Sequence, residues 1–190
     1  MKELIKNNFR ESISVKEETL KLCIDKIILA SEMFIKALES GRKILFFGNG
    51  GSAADSQHIA AEFIGRFKKE RRALSAIALT TDSSILTALG NDYTFDIIFA
   101  RQIEALGQKD DIAFGITTSG NSPDVVVGLE KAKQLGLKTI ALTGSGGGKV
   151  SKIADLSLIV PSSNTPRIQE SHICIYHSMC ELVENYFSRQ

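Results

Sequence analysis

All three histidines of this chain lie in two segments that also carry acid and amide side chains. The first reads Gly48-Asn49-Gly50-Gly51-Ser52 and runs into a helical pattern holding His58 and Glu62. The second reads Arg167-Ile168-Gln169-Glu170-Ser171-His172 and continues to His177. A four-residue step puts His58 and Glu62 on one helical face. That spacing suits two ligands of one divalent metal, an acid–base pair, or a plain surface pair. Gln169 and His177 are eight apart, about 12 Å along a regular helix. One ion joins them only if the first turn departs from a regular helix or the ligands come from two chains. His172 falls off that stripe and is expected to be structural.

Between the two segments lies Thr117-Thr118-Ser119-Gly120-Asn121-Ser122, followed by Pro123. Its hydroxyls, and N–H groups freed by a glycine, meet the start of a helix, where unpaired N–H groups and the dipole favour an anion. A phosphate monoester fits this turn. Gly48–Ser52 is a second glycine-rich strand-to-helix turn, where Asn49 and Ser52 offer bonds to sugar hydroxyls or phosphate. Ser52-Ala53-Ala54-Asp55 also reads as a simple helix cap. The turn lacks both the GxGxxG spacing of a dinucleotide fold and the lysine of a P-loop, so no nucleotide cofactor is expected. A phosphate cradle beside a His/Glu site suits chemistry on a sugar phosphate. By pattern alone, Asn91-Asp92 is an exposed turn.

The elements that must position these groups follow from periodicity. Residues 1–41 read as helical, with a capping box at Ser14-Val15-Lys16-Glu17 and a stop at Gly41. Leu20, Cys23, Ile24, Ile27, Ile28, Ser31, Phe34, Ile35 and Leu38 form one stripe, which packs on the main body, on another subunit, or on both. Strands are then expected at 43–47, 76–80, 111–117, 138–143 and 156–160. Helices are expected from 52 to about 67, near 83–89 and 95–106, from Pro123 to Gly136, and over 167–187. Strands alternating with helices imply a parallel sheet covered on both faces, with ligands at the strands' carboxyl ends.

With 190 residues and 43% apolar composition, a single globular domain spanning 1–190 is expected. The net charge of +1 gives no bulk attraction to nucleic acid or membrane. The basic run Lys68-Lys69-Glu70-Arg71-Arg72 reads as a solvated loop or helix end. Cys23, Cys174 and Cys180 read as buried small hydrophobes rather than disulfides or zinc ligands. No apolar run spans a bilayer and the N-terminus is not a signal peptide, so a reducing cytoplasm is expected.

Taken together and in order, GNGGS, His58-x-x-x-Glu62, LGNDY, TTSGNS, LTGSGGG and RIQESH with His177 resemble the bacterial phosphoheptose isomerases. These are the sedoheptulose-7-phosphate isomerases of the sugar-isomerase (SIS) domain superfamily. The resemblance covers nearly the whole chain. It implies a flavodoxin-like five-stranded parallel sheet flanked by helices, and a homotetramer with active sites between subunits. Carried over by position, it implies metal ligands at His58, Glu62, Gln169 and His177, with one zinc per subunit. It implies substrate contacts from Asn49, Gly50, Gly51, Glu62, Asn91, Asp92, Thr117, Thr118, Ser119, Ser122 and Gln169, and a catalytic pair, Glu62 and His177. Thr117 stands where many relatives have serine, which keeps the hydroxyl and adds a methyl group. The implied reaction converts sedoheptulose 7-phosphate to D-glycero-D-manno-heptose 7-phosphate through an enediol-type intermediate. It would open ADP- or GDP-heptose precursor synthesis for lipopolysaccharide or capsule. A non-catalytic SIS protein, binding phosphosugars or associating with a replication initiator, would not need all four metal positions.

Overall fold

The computed structural model describes residues 1–189. Helix α1 (Lys2–Glu39) is one unbroken rod of 38 residues, about 57 Å long. The capping box at Ser14 is therefore not a helix start. No glycine or proline interrupts residues 2–39, so the helix propagates through Ser14 at little cost. It ends at Gly41, whose φ of +70° lets Arg42 donate back to the Ala37 carbonyl.

Five parallel strands follow: β1 (Ile44–Gly48), β2 (Ala76–Ala78), β3 (Ile112–Thr117), β4 (Lys138–Thr143) and β5 (Leu156–Ile159). Their order is β2-β1-β3-β4-β5. The connecting helices are α2 (Gly51–Ile64), α3 (Ser83–Asp92), α4 (Ile98–Leu106), α5 (Pro123–Gln134), the short α6 (Val150–Ile153), and α7 (Thr165–Phe187). A 3-10 turn, Phe95–Ile97, leads into α4. The one-turn α6 was not legible in the glycine run that precedes it.

Alternate strand residues point to opposite faces. Ile44, Phe46, Phe114, Ile140 and Leu158 pack with Phe34 of α1, Phe63 of α2 and Met179 of α7. Leu45, Phe47, Ala113 and Ala141 pack with Phe99 and Ile103 of α4 and Leu129 of α5. The result is a flavodoxin-like three-layer sandwich, as the family resemblance implied. Strand order reverses between β1 and β3, so the two suspect turns, after β1 and after β3, flank the same crevice.

The α1 stripe divides along its length. Cys23, Ser31, Phe34 and Leu38 are buried on the body, while Leu20, Ile24 and Ile28 are exposed, as are Phe9 and Ile13 nearer the start. Cys23 and Cys180 are buried free thiols, but Cys174 is exposed, on the outer face of α7. No described helix is long and apolar enough to cross a membrane.

Candidate functional site

The turn after β1 is built for close approach. Gly50 has φ +55° and caps α2, whose first turn closes through Ser52 and Ala53 N–H groups onto the Asn49 and Gly50 carbonyls. Ser52 and Asp55 therefore lie inside the helix and form no cap. Ser52 is buried, and Asp55 turns toward α7. A β-carbon on Gly51 would collide with the amide nitrogen of Gln169, so glycine here lets α2 start directly against the Gln169 side chain. Asn49 is exposed, and its Nδ2 donates to both carboxylate oxygens of Asp124 at 3.0 and 2.8 Å.

In the turn after β3, Thr117 Oγ1 lies 2.8 Å from Ser122 Oγ and 3.4 Å from Ser119 Oγ. Thr117 is buried, Thr118 and Ser122 are half-buried, and Ser119 is exposed. Gly120, at φ +70°, lies so close to Gly147 and Gly148 that a β-carbon would strike their backbone. The Gly120 carbonyl accepts from Val150 N–H, and Asn121 Oδ1 accepts from Lys149 N–H. The Gly144–Gly148 run thus buttresses the hydroxyl turn. Buried Asp124 sits in the first turn of α5, so that helix end already faces a carboxylate. Burial pushes the Asp124 carboxyl up, opposed by the Asn49 amide and nearby backbone N–H groups.

The His/Glu cluster lies elsewhere, where α2 packs on α7. One ligand atom each from His58, Glu62 and His177 falls within 4.8 Å of the others. His58 Nε2 is 3.0 Å from Glu62 Oε1, and His58 Nδ1 is 3.1 Å from the Tyr176 hydroxyl. His177 Nε2 is buried without a hydrogen-bond partner. Burial and the facing His58 hold the His177 pKa below the usual imidazole range. A neutral imidazole, a second imidazole, a carboxylate and one orphaned ring nitrogen fit a divalent cation with mixed N/O ligands. Helix α7 is regular throughout, so Gln169 stays about 12 Å along the axis from His177. Gln169 belongs with the Gly51 turn in this chain, not with the three clustered ligands. His58 itself follows Gly51 by seven residues, about 10 Å along α2. The phosphate-type turns occupy the sheet's carboxyl edge, whereas the cluster occupies the helical layer.

Asn91 and Asp92 end α3, exposed, with Asn91 Nδ2 donating to Asp92 Oδ1 at 2.8 Å. His172 is fully buried, and burial lowers its pKa to about 4. The basic run is not fully solvated. Arg71 has a side chain only 1% exposed and donates to the Glu62 and Gly65 carbonyls that end α2. Glu184 of α7 accepts the Phe67, Lys68 and Lys69 N–H groups at 2.7, 2.7 and 2.9 Å. This holds the Phe67 ring against His177, 5.4 Å between centroids. Asp124 and Glu184 carried no local signal in the sequence, while Asp55 and Arg71 were read there as a helix cap and a solvated run. Only Tyr176, beside His177, had a position that hinted at the site.

Comparison with known proteins identifies the family. The SIS-domain family profile matches residues 8–144. The chain is 60% identical to a phosphoheptose isomerase of Aquifex aeolicus over 184 residues, 97% of this chain and 96% of the relative. A phosphoheptose isomerase structure from Neisseria gonorrhoeae superposes with a TM-score of 0.92 at 44% identity, covering 97% of this chain and 98% of that one. Another, from Francisella tularensis, gives 0.93 at 41% identity, covering 96% and 97%. The chain belongs to the phosphoheptose isomerase family of SIS-domain proteins.

Proposed function

We propose that this isomerase interconverts sedoheptulose 7-phosphate and D-glycero-D-manno-heptose 7-phosphate, with Glu62 and His177 moving the protons. The single observation that carries the residue assignment is the convergence of His58, Glu62 and His177 within 4.8 Å. The Glu62 carboxylate takes the proton from C1 of the ketose, while His177 delivers a proton to the C2 oxygen. The enediol then collapses in reverse at the neighbouring carbon. Glu62 returns its proton to C2, and His177 accepts the proton of the C1 oxygen. Each group ends as it began. A neutral His177, favoured by its burial, carries one N–H and one lone pair and so serves both directions.

His58, Glu62 and His177 would hold one zinc per subunit, with Gln169 as a fourth ligand from a neighbouring copy. Bound zinc supplies polarisation of the carbonyl and stabilisation of enediolate oxygens. A cation held there would lower the proton affinity of Glu62, which would then serve in turn as ligand and as base.

Thr117, Thr118, Ser119 and Ser122 bind the phosphate. Asn49, Gly50, Gly51, Ser52, Asn91, Asp92 and Gln169 bind the chain of hydroxyls. Two observations support active sites shared between subunits of a homotetramer. The turns and the cluster occupy different layers of one chain, and α1 exposes Phe9, Ile13, Leu20, Ile24 and Ile28. In this reading residues 1–190 act as one SIS domain in the cytoplasm. The N-terminal segment 1–41 packs on the core and on other subunits, and the product enters heptose precursor synthesis for lipopolysaccharide or capsule.

The test is proton NMR of protein with sedoheptulose 7-phosphate and zinc, with Glu62→Gln as control. An aldose anomeric signal from the native protein alone is expected. Full turnover by folded Glu62→Gln would remove Glu62 from the mechanism.

A further inference from the structure

Tyr176 sits between two polar groups on α2. Its hydroxyl is 3.3 Å from Asp55 Oδ1 and 3.1 Å from His58 Nδ1. Tyr176 is 1% exposed and Asp55 8%, so neither group has bulk water to fall back on. A phenol has one proton to give and two acceptors compete for it. A carboxylate is the stronger acceptor, because the bond is charge-assisted. Giving the proton to His58 instead would leave the phenol and carboxylate oxygens facing each other, with a buried acceptor unsatisfied.

We propose that Asp55 and Tyr176 are positioning residues that fix His58 with its proton on Nδ1 and its Nε2 turned toward Glu62 and His177. The chain of donors runs in one direction. His58 Nδ1–H donates to the Tyr176 oxygen, and the Tyr176 hydroxyl donates to Asp55. The Nε2 lone pair is then the atom His58 offers to a cation. Histidine ligands to metals generally donate the other ring N–H to an outer partner, which sets both tautomer and ring orientation. Here a tyrosine from α7 stands between the imidazole and the carboxylate. Because Tyr176 adjoins His177, α7 supplies one ligand and, one residue away, the group that aims another. The inference rests on the reading that the cluster holds zinc, because without a cation the Nε2 lone pair would face the Glu62 carboxylate, 3.0 Å away.

The test uses the full chain labelled with 15N-histidine, read by long-range 1H–15N NMR, alongside zinc titration by calorimetry. The zinc-loaded native protein should show His58 protonated at Nδ1 alone, with Nε2 engaged by the ion. Tyr176→Phe keeps the buried ring, and should lose that tautomer preference and bind zinc about 10–100-fold more weakly. Asp55→Asn, which keeps an acceptor without the charge, should show a smaller change in both. If Tyr176→Phe does not fold, Asp55→Asn carries the same two readouts. Native His58 unprotonated at Nδ1 would overturn the proposal. So would a folded Tyr176→Phe with native tautomer and native affinity. If the native protein binds no zinc, the reading of the cluster as a zinc site fails and this proposal falls with it; zinc binding with an unaffected Tyr176→Phe overturns the positioning role alone.

Discussion

The Asn49 amide spends its nitrogen on both oxygens of the buried Asp124 carboxylate, at 3.0 and 2.8 Å. One amide orientation is thereby fixed, with the Asn49 carbonyl oxygen as the group left for a ligand. Asp124→Asn offers a donor where there was an acceptor and lets the Asn49 amide turn over. Its KM should rise about tenfold, equivalent to about 1.4 kcal/mol, with kcat less affected. Steady-state kinetics check this, and an unchanged KM would show that Asn49 needs no such orientation.

Gly51→Ala separates function from folding. Alanine is well tolerated at a helical position, but its β-carbon would displace the Gln169 amide. Activity should fall at least about tenfold, in the range seen for a misplaced site group. The thermal midpoint should hardly move.

Gly120→Ala should do the opposite kind of damage. It forces a side chain into positive φ and into the backbone of Gly147. Strain of this kind costs about 1–3 kcal/mol before the collision is counted. Urea denaturation should report at least that loss.

Glu184 gathers three backbone N–H groups and faces the Arg71 guanidinium, 3.9 Å away. Glu184→Gln cannot accept all three with one oxygen and removes the charge facing Arg71. A stability loss of about 3 kcal/mol is expected. Limited proteolysis at Lys68 and Lys69 should then be faster than in the native protein.

His172 predicts a pH effect with a definite sign. Folded, its pKa is about 4; unfolded, it returns to the ordinary value near 6.5. Below pH 6.5 the unfolded chain gains a proton that the folded chain refuses, so stability falls as pH drops from 6.5 toward 4. The full contribution is about 3 kcal/mol. Burial also raises the Asp55 and Asp124 pKa values, an effect of opposite sign. The check is therefore the difference between native protein and His172→Leu at pH 7.5 and at pH 4.5, which should shrink at the lower pH.

Much of this architecture was legible beforehand because its signals are local. Apolar runs marked the strands to within two residues at either end, and Pro123 and Gly41 marked helix ends where φ restricts the choice. The failures have a common physical source. Ser14-x-x-Glu17 and Ser52-x-x-Asp55 have the composition of caps, but Ser14 has no break before it, and the break before Ser52 comes two residues earlier, at Gly50. Arg71 looked solvated because a charge run usually is; its burial depends on Glu184, 113 positions later. The pairs Asn49–Asp124 and Asp55–Tyr176 likewise join residues far apart, and nothing in either partner's neighbourhood announces the other. The eight-residue gap between Gln169 and His177 left two routes to one ion, an irregular first turn or ligands from two chains. The regular α7 keeps the two apart within one chain.

The hydroxyl turn and the glycine run behind it touch backbone to backbone at Gly120, Gly147 and Gly148. Neither segment has a side chain there through which to adjust. An inserted or deleted residue in one would unseat the other, although about 25 positions separate them. For the purposes of descent the two loops are therefore one character. A lineage drifting toward a different sugar would have to leave this knot alone and vary the rims around it.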